Sequence, residues 1–210
     1  MHIYFSSIMP SKYQGSNNLI IITAPSGAGK TSITHYLIKK YKELAFSISA
    51  ATRPRRSYEK NGVDYYFISM DDFKQKIQHN EFVEWEMVYE GKYYGTLKSE
   101  LERIWKNKQI PILDIDVKGA IHVQQQYPDS SVSIFVEPPS IEELRRRLES
   151  RGTENTDELR ARINKASFEI SFRHLFNKVI VNDNFEHACR QADIIISDFL
   201  SADKKSTPKP

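Results

Sequence analysis

Between Ala24 and Thr31 the chain reads APSGAGKT. Small residues in such a turn let the main chain curl around an anion with several N–H groups pointing inward. Gly29, Lys30 and Thr31 match the end of the phosphate-binding pattern G-x-x-x-x-G-K-[ST], and Ala24 stands where its first glycine would be. The match fails by one methyl group. Alanine fits there if its φ is negative, because only a positive φ demands glycine. In this reading Ala24, Pro25, Ser26, Gly27, Ala28, Gly29, Lys30, Thr31 and Ser32 form the cradle. Lys30 reaches the β and γ phosphates of a nucleotide, and Thr31 ligates Mg²⁺. The alternative is a glycine-rich turn with Lys30 simply exposed. A loop of this kind is shared by proteins of several activities and does not name a reaction.

A second set of residues suits another anion. Arg53 and Arg56 lie three apart in a polar loop, with Ser49 upstream and Tyr65 and Tyr94 downstream. Guanidinium forks and hydroxyl groups all donate toward oxygen, as a phosphate requires. Glu84 sits between Val83 and Trp85, and Thr96 closes the segment. A carboxylate there can accept from a ring N–H and an exocyclic amine together. Guanine offers that pair and adenine does not. This is compatibility, and an ordinary solvated hairpin is the other reading.

In ILDID, Asp114 and Asp116 fall on one side of a strand if it stays regular. One is a candidate for holding Mg²⁺ and the other for touching an acceptor base; a strand end that simply reaches solvent is the alternative. Arg147 and Arg151 are spaced i, i+4, and Arg162 follows on the next predicted helix. Closed over a nucleotide, they would neutralise charge on a transferring phosphoryl group. The plainer reading is a basic helix face carrying pairs such as Glu143–Arg147.

These residues need elements to hold them. LIIITA (19–24) reads as a buried parallel strand, and the residues after the loop as a helix with Ile33, Leu37 and Tyr41 on one face. LAFSIS (44–49), VDYYFIS (63–69), IPILDIDV (110–117), SVSIFV (131–136) and KVIVND (178–183) read as strands. Residues 81–96 alternate and turn back at Gly91 as a hairpin. Residues 71–79 follow a Ser69 cap, and further helices are expected at 98–109, from Ser140 onward, across NTDELRARINKASFEISFRH, and at FEHACRQADIIISDFL. Strands alternating with helices predict an open α/β sheet, and residues 50–96 a small β-rich insert.

A chain of 210 residues suits one α/β unit with inserted subdomains. Cys189 is the sole cysteine, so no internal disulfide or zinc cluster holds the fold, and a reducing, cytoplasmic setting fits. No apolar run approaches the ~20 residues that span a bilayer, and the first 18 residues read as a loose leader, not an export signal. The net charge of +3 is too small to single out a nucleic-acid partner.

Taken together, APSGAGKTS, SISAATRPRRSYEKNGVDYYFIS, EFVEWEMVYEGKYYGT, ILDIDVKGA, IFVEPPS, RRRLESRGTE and VIVND resemble, in order, the motifs of the guanylate kinases, a branch of the nucleoside monophosphate kinases. The resemblance covers roughly residues 19–198. It implies an α/β P-loop three-layer sandwich with a parallel central sheet, a small mixed α+β GMP-binding insert and a helical lid. The implied division is a leader (1–18), a core (19–48, 97–146 and 164–200), the insert (49–96), the lid (147–163) and a tail (201–210).

It implies γ-phosphoryl transfer from ATP with Mg²⁺ to GMP, with no stable nucleic-acid or membrane partner, and leaves the oligomeric state open. By position, Ser49, Arg53, Arg56, Tyr65 and Tyr94 match holders of the GMP phosphate. Glu84, Thr96 and Asp116 match residues around guanine, Asp114 lies near the metal, and Asn182 matches a residue near adenine. Lys30, Arg53, Arg147, Arg151 and Arg162 match charge-neutralising residues. The family commonly runs T-T-R-x-P-R-x-G-E where this chain has Ala51-Thr52-Arg53-Pro54-Arg55-Arg56-Ser57-Tyr58-Glu59, and Lys118 stands for a usual glutamine. Two rivals remain at this point: a kinase for another monophosphate, and a kinase-like module that binds a peptide in the acceptor site.

Overall fold

The computed structural model describes residues 17–150 and 156–206. In chain order they form β1 (Leu19–Thr23), α1 (Lys30–Lys40), β2 (Leu44–Phe46), β3 (Ala50–Ala51), β4 (Tyr66–Phe67), α2 (Met70–Gln78), β5 (Phe82–Tyr89) and β6 (Lys92–Leu97). There follow α3 (Lys98–Lys106), β7 (Ile110–Asp114), α4 (Val117–Gln126), β8 (Ser131–Glu137), α5 (Ile141–Glu149), α6 (Thr156–Ile170), a 3-10 turn, β9 (Lys178–Val181) and α7 (Phe185–Ser206).

Five strands make one parallel sheet in the order β2-β7-β1-β8-β9. Its strands are apolar on both faces because both are covered. Ile20, Ile22, Ile112, Ile134 and Ile180 pack on one side against Ile33 and Leu37 of α1 and Ala188, Ala192 and Ile196 of α7. Leu19, Ile21, Leu113 and Phe135 pack on the other against Leu101 of α3 and Val117, Ala120 and Val123 of α4. Each fully buried Ile, Leu, Val or Phe among these contributes about 1.5–3 kcal/mol, and each alanine less. This is the expected three-layer arrangement.

A second, mixed sheet in the order β4-β3-β6-β5 forms the insert. Phe73 of α2 stacks on Phe82 of β5 with ring centres 4.4 Å apart and closes its small core. Helices α5 and α6 meet through their own apolar seam of Leu144, Leu148, Ile163 and Ala166. Ser69 and Ser140 cap α2 and α5 as expected, each accepting from an N–H three residues on. No helix among the described residues is long and apolar enough to cross a membrane.

Several elements differ from the sequence expectation. The strand expected over 44–49 stops at Phe46, because the Ile48 N–H leaves the sheet to donate to the buried Glu100 carboxylate at 3.0 Å. The strand expected over 63–69 shrinks to Tyr66–Phe67. The Gly62 N–H bonds to the Tyr65 carbonyl across a turn with φ 74° at Gly62. The strand expected over 110–117 ends at Asp114, and Val117 instead opens α4, a helix the sequence reading passed over. Its signal was present: Asp116 as cap, then Val117, Ala120 and Val123 at helical spacing. Helix α7 continues to Ser206, six residues into the segment expected as a tail.

Candidate active site

The loop after β1 turns at the carboxyl end of the sheet, where open α/β sheets take their ligands. Gly27 (φ 94°) and Gly29 (φ 99°) supply the two left-handed positions the turn requires. Ala24 is not among the residues with positive φ, so the missing first glycine costs the backbone nothing. A side chain at Gly27 would press on Leu144 and Leu148, and one at Gly29 on the Asn182 amide, so the loop is seated tightly between α5 and the end of β9.

The register Ile22↔Asp114 between β1 and β7 sets Asp114 beside this loop. Lys30 Nζ lies 2.7 Å from Asp114 Oδ1 and donates to the Ile115 carbonyl at 2.8 Å. The Thr31 hydroxyl donates to Asp114 Oδ2 at 2.8 Å. Burial alone would lower the Lys30 pKa, but the Asp114 carboxylate outweighs it and the net shift is upward. Lys30 therefore stays cationic. Asn182 is buried and donates through Nδ2 to the Ala28 carbonyl at 2.7 Å, which braces the loop from below.

A cavity of about 340 Å³ opens in front of the loop. Ala24, Pro25, Ser26, Gly27, Gly29, Lys30, Thr31 and Ser32 line one end, and Asp114 and Asp116 the floor. Ser49, Tyr65, Glu84 and Tyr94 of the insert line the other end. Ala28 is buried beneath the loop. Residues from two expected anion sites, far apart in sequence, thus share one cavity.

At the insert end Glu84 is only 4% exposed. Thr96, fully buried, donates its hydroxyl to Glu84 Oε1 at 2.6 Å. Burial, helped by the nearby Asp116 charge and opposed by the Thr96 hydrogen bond, raises the Glu84 pKa to about 7. Asp116 accepts from the Gly119 N–H at 2.9 Å as the cap of α4, which is why it does not continue the strand of Asp114. Tyr65 and Tyr94 meet edge to face at 5.9 Å, and burial first, then Asp114, raises the Tyr65 pKa.

The arginines are placed less simply. Arg53 forks onto Glu59 with bonds of 2.7 and 2.5 Å, and its guanidinium lies over the Tyr65 ring at 5.0 Å. Glu59 is buried, and the Arg53 hydrogen bonds hold its pKa down at about 2. Arg56 donates to the Tyr58 hydroxyl at 3.0 Å. Neither arginine lines the cavity, although Arg53 lies against a tyrosine that does. Arg147 is turned to Glu143 (2.8 Å) and to the Asn182 carbonyl (2.9 Å). Arg162 reaches the Ser26 hydroxyl of the loop at 3.4 Å. Arg151 lies outside the described residues.

Sequence reasoning missed Glu86, Val88, Ile115, Lys165 and Glu169, all in the cavity wall. Lys165 and Glu169 follow Arg162 by three and seven residues, so helical spacing carried the signal. They pair at 3.6 Å, and burial raises the Glu169 pKa. Glu59, the one acid in a basic loop, was passed over as a partner for Arg53.

A parallel sheet feeding an anion-cradling loop, with a lysine and a hydroxyl closed on an acid from the neighbouring strand, defines a P-loop nucleotide-binding protein. A family model described as guanylate kinase matches residues 16–199. A guanylate kinase of Bacteroides fragilis is 46% identical over 189 residues, covering 90% of this chain and 93% of that protein. One of Porphyromonas gingivalis is 47% identical over 184 residues, covering 87% and 98%. The crystal structure of guanylate kinase from Anaplasma phagocytophilum superposes with a TM-score of 0.69 at 30% identity, covering 90% of this chain and 88% of that one. The chain belongs to the guanylate kinase family.

Proposed function

We propose that this protein transfers the γ-phosphoryl group of ATP to GMP, giving ADP and GDP. The observation that carries the reading is one cavity lined both by the phosphate loop and by Glu84, whose carboxylate the buried Thr96 holds from behind. The loop from Ala24 to Ser32 holds the phosphates of ATP, and Lys30 neutralises the β and γ oxygens. The guanine ring donates its N1–H and N2–H to Glu84, with Asp116 alongside. Ser49, Tyr65, Tyr94, Arg53 and Arg56 take the GMP phosphate. Arg162, already against Ser26, is the arginine best set to meet charge on the transferring group. Asn182 and Arg147 act from behind the loop.

The Thr31 hydroxyl and the Asp114 carboxylate, 2.8 Å apart, are hard oxygen donors of the kind Mg²⁺ takes, and they would hold it beside the phosphates. The ion, when bound, offsets negative charge on the β and γ phosphates. A GMP phosphate oxygen attacks the γ-phosphorus in line, the bond to the β-phosphate oxygen breaks, and ADP leaves. No side chain needs to become covalently attached. Catalysis is positioning and charge neutralisation, because both reactants are anions. A cytoplasmic location is part of the proposal.

A coupled assay of ADP release over a panel of nucleoside monophosphates, with and without Mg²⁺, tests the reading. GMP should exceed AMP, CMP and dTMP by at least about 10³ in kcat/KM, since a base lacking the paired donors leaves Glu84 unmatched. Comparable turnover of AMP would refute it, and so would saturable GMP binding with no ADP release.

A further inference from the structure

We propose that Gly119 is a positioning residue for substrate recognition: its missing side chain is the space that the Glu84 carboxylate occupies. The inference rests on the reading that Glu84 receives the guanine donors.

Glu84 on β5 and Gly119 in the first turn of α4 come together because the two elements are packed along their length. Val83 shares an apolar cluster with Val117, Ala120 and Val123, and the Gln126 amide donates to the Val83 carbonyl at 2.7 Å. At the other end of this seam, a Cβ added to Gly119 would lie 2.5 Å from Glu84 Oε2, 3.1 Å from its Cδ and 3.2 Å from Asp116 Oδ1. The first of these is shorter than any ordinary contact, and the other two are tight.

The backbone does not ask for glycine there. Gly119 is helical, and it is absent from the residues with positive φ. Its N–H donates to the Asp116 cap, as that of any residue except proline would. Glycine is a poor helix former, so a helical glycine here works against α4. Space for Glu84 is the compensating gain. The carboxylate is pinned on its far side by Thr96 at 2.6 Å, so it cannot retreat without losing that bond.

What the added methyl meets decides which property suffers. At Gly95 a Cβ would strike the Glu84 backbone carbonyl at 2.8 Å and Phe82 at 2.9 Å, so the hairpin itself obstructs it. At Gly119 the obstacle is the tip of a flexible side chain, which yields. The fold then survives and the recognition group moves by about 1 Å, a displacement able to cost about 10²-fold in rate when reacting partners are involved.

The test is a double-mutant cycle of G119A and E84A, read in kcat/KM for GMP, KM for ATP and Tm. We expect G119A to keep or raise Tm and to leave KM for ATP within about twofold. Its kcat/KM for GMP should fall by roughly 10–100-fold, mainly through KM. In the E84A background, where the obstructed atom is gone, the same substitution should change kcat/KM by less than about threefold. An equal loss in both backgrounds overturns the proposal, as does a loss of Tm that persists without Glu84. G119A with unchanged GMP kinetics, beside an impaired E84A, also overturns it and spares the role of Glu84. An E84A enzyme with unaltered GMP kinetics overturns the base-reading role itself.

Discussion

Under the proposed function the donor loop would meet its anion with main chain and with two side chains already in place: Lys30 and Thr31 stand 2.7 and 2.8 Å from Asp114, and Asn182 braces the loop from beneath. In the insert the groups proposed for the acceptor phosphate are side chains alone, and each of the two arginines already holds a partner from this chain. Arg53 grips Glu59, and Arg56 leans on Tyr58. One half is organised by the central sheet, whose strand register sets Asp114 beside the loop. The other is organised by internal counter-ions in a loop between two short strands. Damage to the first should therefore appear in turnover, and damage to the second in the KM for GMP.

The sharpest way to break that contrast is Lys30→Ala. Loss of one preorganised cation at a transferring phosphoryl group costs about 10²–10³ in kcat. The dissociation constant for GMP should change by less than about threefold, since Lys30 faces the donor. A variant that keeps its kcat and loses GMP affinity would reverse the assignment of the two halves.

The next largest effect belongs to Glu84, where recognition and stability oppose each other. Its folded pKa is raised to about 7 from an ordinary 4.5. Between those values the folded state binds the extra proton, so stability falls as pH rises from 4.5 to 7, and the full penalty stands above 7. Glu84→Gln removes the penalty and keeps an acceptor for Thr96. We expect the variant to be more stable at pH 8 by about 3 kcal/mol, while kcat/KM for GMP drops by about 10²-fold. In the parent, GMP affinity should weaken as pH falls below 7, by about tenfold per unit. The Gln variant supplies the correction for titration of the GMP phosphate itself. Denaturant curves at pH 5 and pH 8, with GMP titrations at pH 6 and 8, measure both sides; a parent and variant of equal stability at pH 8 would remove the buried-charge account.

The two halves also differed in how far they could be read from sequence. The donor loop is contiguous, so its strand, turn and helix and the expected roles of Lys30 and Thr31 could be read from one unbroken stretch, Leu19 to Tyr41. Asp114 was legible because a buried strand carries it. The proposed acceptor site draws on β3–β6, α4 and the segments between them, and its residues were named from resemblance more than from spacing. What escaped was whatever depended on tertiary contact. Asp116 was read as a strand residue because alternation continued through it, yet it caps α4. Glu59 and Gly119 carry no periodic signal: one matters because Arg53 folds back on it, the other because Glu84 arrives from 35 positions away. Lys165 and Glu169 were readable in principle, being on the Arg162 face of one helix.

A smaller change separates positioning from contact within the insert. Glu59→Gln keeps the size and an acceptor but removes the charge that fixes the Arg53 fork. We expect KM for GMP to rise by about five- to tenfold with kcat nearly unchanged. In the parent, the depressed Glu59 pKa means its contribution to stability is complete above about 4.5 and is lost as pH falls through about 2. Steady-state kinetics at varied GMP decide the point, and an unchanged KM would show that Arg53 needs no holder.

The smallest expected effect concerns Arg147, where the two readings from sequence part most cleanly. One makes it a lid arginine on the phosphoryl group, the other a member of a helix-face pair. Its guanidinium joins Glu143 to the Asn182 carbonyl, and the Asn182 amide in turn bonds to Ala28 in the donor loop. Arg147 is thus two hydrogen bonds from the main chain of the donor loop, acting through its seat. Arg147→Ala should remove one charge-assisted bond to a main-chain carbonyl, about 1–2 kcal/mol, and lower Tm by a few degrees. The seat loosens but Asn182 remains beneath Ala28, so kcat should fall by less than about tenfold. A residue in direct contact with the transferring group would give the opposite pattern, an unchanged Tm with kcat down by 10² or more. Thermal melts beside saturating kinetics on this one variant therefore decide whether α5 belongs to the brace of the donor half or to the machinery that closes over both.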